Sequence, residues 1–176
     1  DCATNGGASD NAGLSFVDPV KLRDIVTELD RQGFQLHFHA LGDRAVREAL
    51  DAIEAARTEN GDASSVMHQL AHIQIINPSD VPRFGALNTS ANMQPLWASY
   101  DPQMIDLTLP FLGDERVTHQ YPFASLVASG SHLCAGSDWP ATSADPWLRL
   151  HAALHRQVPA GHPDDDERVR PEHATP

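Results

Sequence analysis

The sequence predicts an α/β protein on a parallel sheet, about four strand–loop–helix units in succession. Three observations predict it. Short segments of alternating or small residues (34–39, 69–76, 89–94, 132–138) take turns along the chain with segments whose apolar residues recur every three or four positions. Turn signals stand between them at Gly33, Asn60-Gly61, Asn77-Pro78 and Asp145-Pro146. A crossover helix returns the chain to the same sheet edge, so parallel pairing is the default. A closed (β/α)8 barrel takes eight such units and typically about 250 residues. These 176 residues carry four, half a barrel.

Taken in order, residues 1–17 are small, polar and Gly-containing, and read as an opening loop. Asp18-Pro19 offers an N-cap and a proline at the first helical position; Leu22, Ile25, Val26 and Leu29 then share a face up to Gly33, a stop, so a helix fills 19–32. The strand over 34–39 closes on His39. Ala40-Leu41-Gly42-Asp43 turns into a helix over 43–60, with Val46, Ala49, Leu50 and Ile53 on its apolar face and Asp43 expected as its N-cap. A second strand, 69–76, contains His72, and Asn77-Pro78 opens a short helix carrying Val81, Phe84 and Leu87. The third strand, 89–94, leads into Gln94-Pro95. Residues 95–121 are irregular, punctuated by Trp97, Tyr100, Pro102 and Pro110, and a loop of that length reads as a lid or binding wall. A helix over 123–130 precedes a fourth strand ending in Asp138, and Asp145-Pro146 starts a last helix with Leu148, Ala152 and His155. The organisation is therefore an opening loop (1–17), one α/β half-barrel (18–158) and a charged, Pro-rich tail (159–176) predicted to be disordered.

Charge narrows the partners. The net charge of −12, with Lys21 the only lysine, repels phosphate and leaves no basic stripe for nucleic acid or anionic lipid. No run of about 18 apolar residues offers a membrane span, and no signal peptide is visible. Cys2 and Cys134 are too few and too separated for a disulfide framework, which fits a cytoplasmic protein. The start at Asp1 and the charged end suggest a piece of a longer polypeptide. Half a barrel exposes strand edges, so a homodimer through them is expected.

His39, His72 and Asp138 occupy one structural role. All three stand at or near strand ends, which in a parallel sheet share one rim where α/β proteins keep their active sites. Two neutral imidazoles and a carboxylate are the ligand set of a catalytic zinc or iron with a position left open for water. A lone strand-end histidine is more often structural; three such residues together shift the balance. Gln74, Gln94, Trp97 and Trp139 flank the rim and either line a substrate pocket or fill the core. Arg44 and Arg47 read as surface or ion-pairing groups, and His68, His119, His132, His151 and His155 as structural.

HAxGDRAV at 39–46, AHxQ at 71–74, ANMQP at 91–95 and GSDWP at 136–140 closely resemble motifs of the metal-dependent amidohydrolase superfamily, in particular its YtcJ-like (amidohydrolase 3) group. The match runs from Leu14 to about Arg156. The resemblance implies a partial TIM barrel corresponding to strands 5 to 8. His39 resembles the fifth-strand metal ligand, His72 the sixth-strand ligand and Asp138 the eighth-strand aspartate, which would also be the catalytic base. The GDRAV run after His37-Phe38-His39 argues against the first-strand HxH, leaving His37 a neighbour. The family's first four strands, final barrel helix and small β-sandwich are absent. The implied cofactor is a divalent metal, zinc before iron or manganese, and the implied substrate a small-molecule, non-peptide amide. The alternative is a non-catalytic half-barrel fragment, or an open α/β ligand-binding domain without a complete metal site.

Overall fold

The computed structural model describes residues 13–61, 65–163 and 165. The opening loop up to residue 12 and the tail from residue 166 lie outside the described residues. The described chain forms two compact units. One, the sheet unit, comprises Leu14–Met93 and Tyr121–Cys134; the described parts of the other are Gly13, Gln94–Gln120 and residues 135–163 and 165. The elements in chain order are α1 (Pro19–Arg31), β1 (His37–Ala40), α2 (Asp43–Asn60), β2 (Gln69–His72), α3 (Val81–Ala86), β3 (Ser90–Met93), α4 (Asp114–Val117), α5 (Phe123–Ala128), β4 (His132–Ala135) and α6 (Pro146–His155).

In the sheet unit, local chemistry sets each boundary. Asp18 accepts the N–H groups of Val20 and Lys21 at 3.0 and 3.1 Å, capping α1. The helix ends in a Schellman motif: Gly33, at φ 80, donates to the Asp30 carbonyl while Phe34 donates to that of Leu29. At the start of α2 the expectation needs correction. Gly42, extended at φ −86 and ψ 158, takes the cap position. Asp43 is thereby moved into the first turn, where its carboxylate accepts the Arg44 N–H and faces the positive end of the helix dipole.

The four strands lie in the order β1-β2-β3-β4, with β1–β2 and β2–β3 parallel. Registers Phe38↔Leu70 and Leu70↔Ala91 place one face against the helices. There Val46, Leu50 and Ile53 of α2, at helical spacing, join Val26, Phe84 and Leu126 in a core closed to solvent. Burying such side chains stabilises by about 1.5–3 kcal/mol each. The other face carries His37, His39, Gln69 and Asn92. All four strands are shorter than the sequence suggests: β1 starts at His37 and runs one residue past His39 to Ala40, β2 stops at His72, β3 spans Ser90–Met93, and β4 stops at Ala135.

A buried polar knot ties the amino ends of β1 and β2 to the helices. Asp30, 1% exposed, accepts from Arg57 Nη1 (3.1 Å), from Asn60 Nδ2 (2.8 Å) and from His68 Nε2 (2.8 Å). His68 Nδ1 in turn accepts the Leu36 N–H at 3.2 Å. That pattern requires the neutral ring with its proton on Nε2. Burial holds the His68 pKa below its ordinary value, against the opposing pull of Asp30. The structural role expected of this histidine is the one it has.

In the second unit, residues 95–121 are more helical than the sequence suggested. A 3-10 turn (Pro95–Ala98), a π-type turn (Met104–Thr108), a further 3-10 turn (Leu109–Phe111) and α4 follow one another. Arg156, the left-handed cap of α6, fastens this loop by donating Nε to the Ala98 carbonyl and Nη1 to the Gln120 carbonyl. No described helix is long and apolar enough to cross a membrane.

Candidate metal centre at the strand ends

Strand parity alone would separate the two histidines. His39 pairs with Ala71, and His72 pairs with Ala40, a residue of the helix-side core. Side chains alternate along a strand, so a regular β2 would send the His72 ring to the opposite face from His39. The backbone breaks that alternation. His72 sits at φ 70 and Ile73 at φ 51, and the Ile73 N–H reaches back to the Ala71 carbonyl at 3.1 Å. This is a γ-turn of the rare positive-φ form centred on His72. The same N–H bonds the Ala40 carbonyl at 2.9 Å, anchoring the turn to β1.

The outcome is a pair of imidazoles with ring centroids 4.4 Å apart and planes at 67°. Two imidazoles sharing one ion at bonds of about 2.0–2.1 Å, separated by angles of about 90–110°, have centroids about 4.5–5 Å apart. The 4.4 Å between the two centroids lies just below that range. His72 is 8% exposed and His39 open to solvent. A non-glycine residue with positive φ costs of order 1–3 kcal/mol and persists where surrounding structure enforces it, often at functional sites.

Asp138 belongs to the second unit, and here the sequence reading is corrected. It does not close β4: the strand ends at Ala135, and Gly136-Ser137 carry the chain into a turn with Asp138 at φ 58. Its carbonyl accepts the Ala141 N–H at 2.8 Å, and its Oδ2 accepts the indole N–H of Trp97 at 3.0 Å. So two expected site residues, Trp97 and Asp138, meet directly. Gln94, buried, offers its backbone carbonyl to the backbone N–H of Trp97, whereas Trp139 is 70% exposed. Gln74, half-buried in the sheet unit, gives its carbonyl to the Tyr121 N–H. Among the described residues no group of three or more His, Cys, Asp or Glu side chains is arranged to hold a metal ion.

Contacts between residues far apart in the chain left no mark in the sequence. The Trp97–Asp138 bond spans 41 residues, and nothing local announces it. The open face of the sheet also carries a polar row: Asn92 donates to Gln69 Oε1 (3.3 Å), and Cys134 Sγ lies 3.7 Å from the same oxygen and 3.4 Å from Ser90 Oγ. Residues of one parity on β2 and β3, Gln69, Ser90 and Asn92, were the available signal. Cys134 is free and exposed. Arg44 and Arg47 are ion-paired as expected, with Glu48 at 2.7 Å and Asp80 at 2.8 Å.

Parallel strands alternating with helices, with His39 and His72 at or next to the ends of adjacent strands, form a partial-barrel-like α/β fold. The chain belongs to the Amidohydrolase family, whose model matches residues 6–175. Protein LONG AFTER FAR-RED 3 of Arabidopsis thaliana is 35% identical over 150 residues, 85% of this chain and 25% of that protein. Putative amidohydrolase YtcJ of Bacillus subtilis is 27% identical over 146 residues, 82% of this chain and 26% of that protein. Among solved structures, an uncharacterized metal-dependent hydrolase from Pyrococcus horikoshii superposes with a TM-score of 0.68 at 26% identity, covering 84% of this chain and 28% of that one. The chain thus spans about a quarter of the length of the curated relatives it matches. The YtcJ-like resemblance and a partial-barrel-like fold stand on these matches.

Proposed function

We propose that this chain carries part of the active site of a metal-dependent hydrolase that cleaves carbon–nitrogen bonds in small-molecule, non-peptide amides. The observation that supports it most is the His39–His72 pair, brought together by a γ-turn that strand geometry alone does not require. In this reading His39 and His72 hold a divalent ion, zinc before iron or manganese, and Asp138 keeps the ligand and base roles that the family resemblance implies. Further donors come from polypeptide beyond this chain or from a second copy. Bound there, the ion would polarise the amide carbonyl and make a bound water far more acidic. Asp138 takes a proton from the attacking water and delivers it to the departing nitrogen. Trp97 fixes the carboxylate through its indole N–H, leaving Oδ1 for that exchange. Gln74, Gln94 and Trp139 contact the substrate. The free Cys134 fits a reducing cytoplasm.

The test is metal binding to the chain itself. Titration calorimetry of the metal-free protein with zinc should give saturable binding that weakens more than about tenfold in His39→Ala and in His72→Ala. Equal binding by all three proteins would leave the non-catalytic half-barrel as the reading.

A further inference from the structure

The second unit contains a crevice of about 240 Å³, formed where residues 96–103 face the loop after β4, α6 and the segment that follows it. Its volume equals that of about eight waters at roughly 30 Å³ each, enough for a small organic group. Three features give it chemical character. Ser99, 2% exposed, lines it, and its hydroxyl has no hydrogen-bond partner. A buried hydroxyl left unpaired is costly, so such a group points to a missing partner. Asp101 also lines the crevice; one carboxylate oxygen accepts the Met104 N–H at 2.7 Å, while the carboxylate brings negative charge to the wall. The third wall is Trp97, whose N–H is already committed to Asp138, so that what the indole offers a ligand is its ring.

Charge selects among ligands. Asp101 and His162 are the titratable side chains in the wall, and its residues include neither lysine nor arginine. Arg156 is directed at the Ala98 and Gln120 carbonyls, with its guanidinium 6.0 Å from the Tyr100 ring centre. An anion would meet the Asp101 carboxylate with no cation in the wall to offset it. An ammonium would find a carboxylate, an aromatic face and a serine oxygen able to accept, with Leu96 and Leu148 for its alkyl arm.

We propose that this crevice binds an organic ammonium group. Resting on the hydrolase reading, it takes the non-reacting arm of the substrate, making that substrate an amide with a cationic amine. Trp97 then links the occupied crevice to Asp138, since one indole forms the wall and donates to the carboxylate. Ser99 and Asp101 set specificity and take no part in bond cleavage.

The experiment uses metal-free protein, so binding is read whether or not the chain hydrolyses anything. Indole N–H resonances are followed by 15N–1H correlation spectra at pH 8, with Trp97 assigned through Trp97→Phe, during titration with n-butylammonium, n-butanol or n-butyrate. The expected result is a saturable shift of the Trp97 signal by n-butylammonium, at least tenfold weaker binding of n-butanol and no saturable shift by n-butyrate. Asp101→Asn keeps the acceptor for Met104 and should weaken n-butylammonium about tenfold, the scale of one charge-assisted contact. Ser99→Ala should also weaken binding without lowering thermal stability, since it removes an unpaired group. Equal responses to the three probes, no response to n-butylammonium, or unchanged affinity in Asp101→Asn would overturn the proposal. Failure of zinc to bind would overturn the hydrolase reading and leave the ammonium site standing.

Discussion

His68 and His72 lie four positions apart and show how differently one residue type is used. His68 is enclosed, hydrogen-bonded at both ring nitrogens, and serves the fold. His72 occupies a positive-φ turn and presents its ring to another imidazole. The difference has a pH consequence. Burial lowers the His68 pKa in the folded state, so the native protein binds fewer protons than the unfolded chain once pH falls below about 6.5. Stability contributed by the neutral ring is therefore complete above that pH and declines as pH drops toward the depressed folded value. Protonation would also remove the acceptor that holds the Leu36 N–H at the entrance to β1. Urea unfolding between pH 7.5 and 5 should show this loss, and the difference between wild type and His68→Gln should shrink with acidification. A difference that stays constant across the range would mean that His68 does not supply the pH dependence.

At the scale of elements, close approach rather than hydrophobicity fixes the contact of α3 with the turn after α5. A Cβ on Gly85 would overlap the carbonyl oxygen of Ser129 and crowd the carbonyl carbon of Gly130, and both are backbone, which yields little. Gly85→Ala should therefore destabilise by about 2 kcal/mol even though alanine is the better helix former. A thermal unfolding midpoint equal to or above that of wild type would show that α5 moves aside freely. Ion pairs add registry between α2 and the α3 region: Arg83 reaches Asp51, Glu54 and Asp80 at 2.6–3.0 Å. Partly exposed, they contribute modestly one by one. The strands show what local reading resolves and what it does not. The cap of α1, its Gly33 stop and the span of α2 were legible because each depends on neighbours in sequence. The end of β2 was not: residues 73–76 look like strand continuation, and only contacts with β1 reveal the left-handed turn at His72.

At the largest scale, strand and apolar surface stays uncovered among the described residues. All four residues of β4, at the end of the sheet order, are exposed, and Trp147, Leu150 and Leu154 form an exposed apolar stripe on α6. Open strand edges and apolar stripes of this kind drive association. The chain should therefore self-associate in sedimentation experiments at micromolar concentration, and Leu154→Lys should shift it toward monomer. A monomer at all concentrations would remove the homodimer expectation.

The sequence alone determined the α/β alternation, the spans of α1 and α2, the candidate ligands and the family resemblance, because periodicity, caps and motif spacing are properties of neighbouring residues. Tertiary structure decided which of those ligands meet. Alternation placed His39 and His72 on opposite faces, and a γ-turn held by the Ala40 carbonyl of the adjacent strand reversed that placement. It likewise joined Trp97 to Asp138, a contact between two loops distant in sequence whose meeting depends on the packing around them.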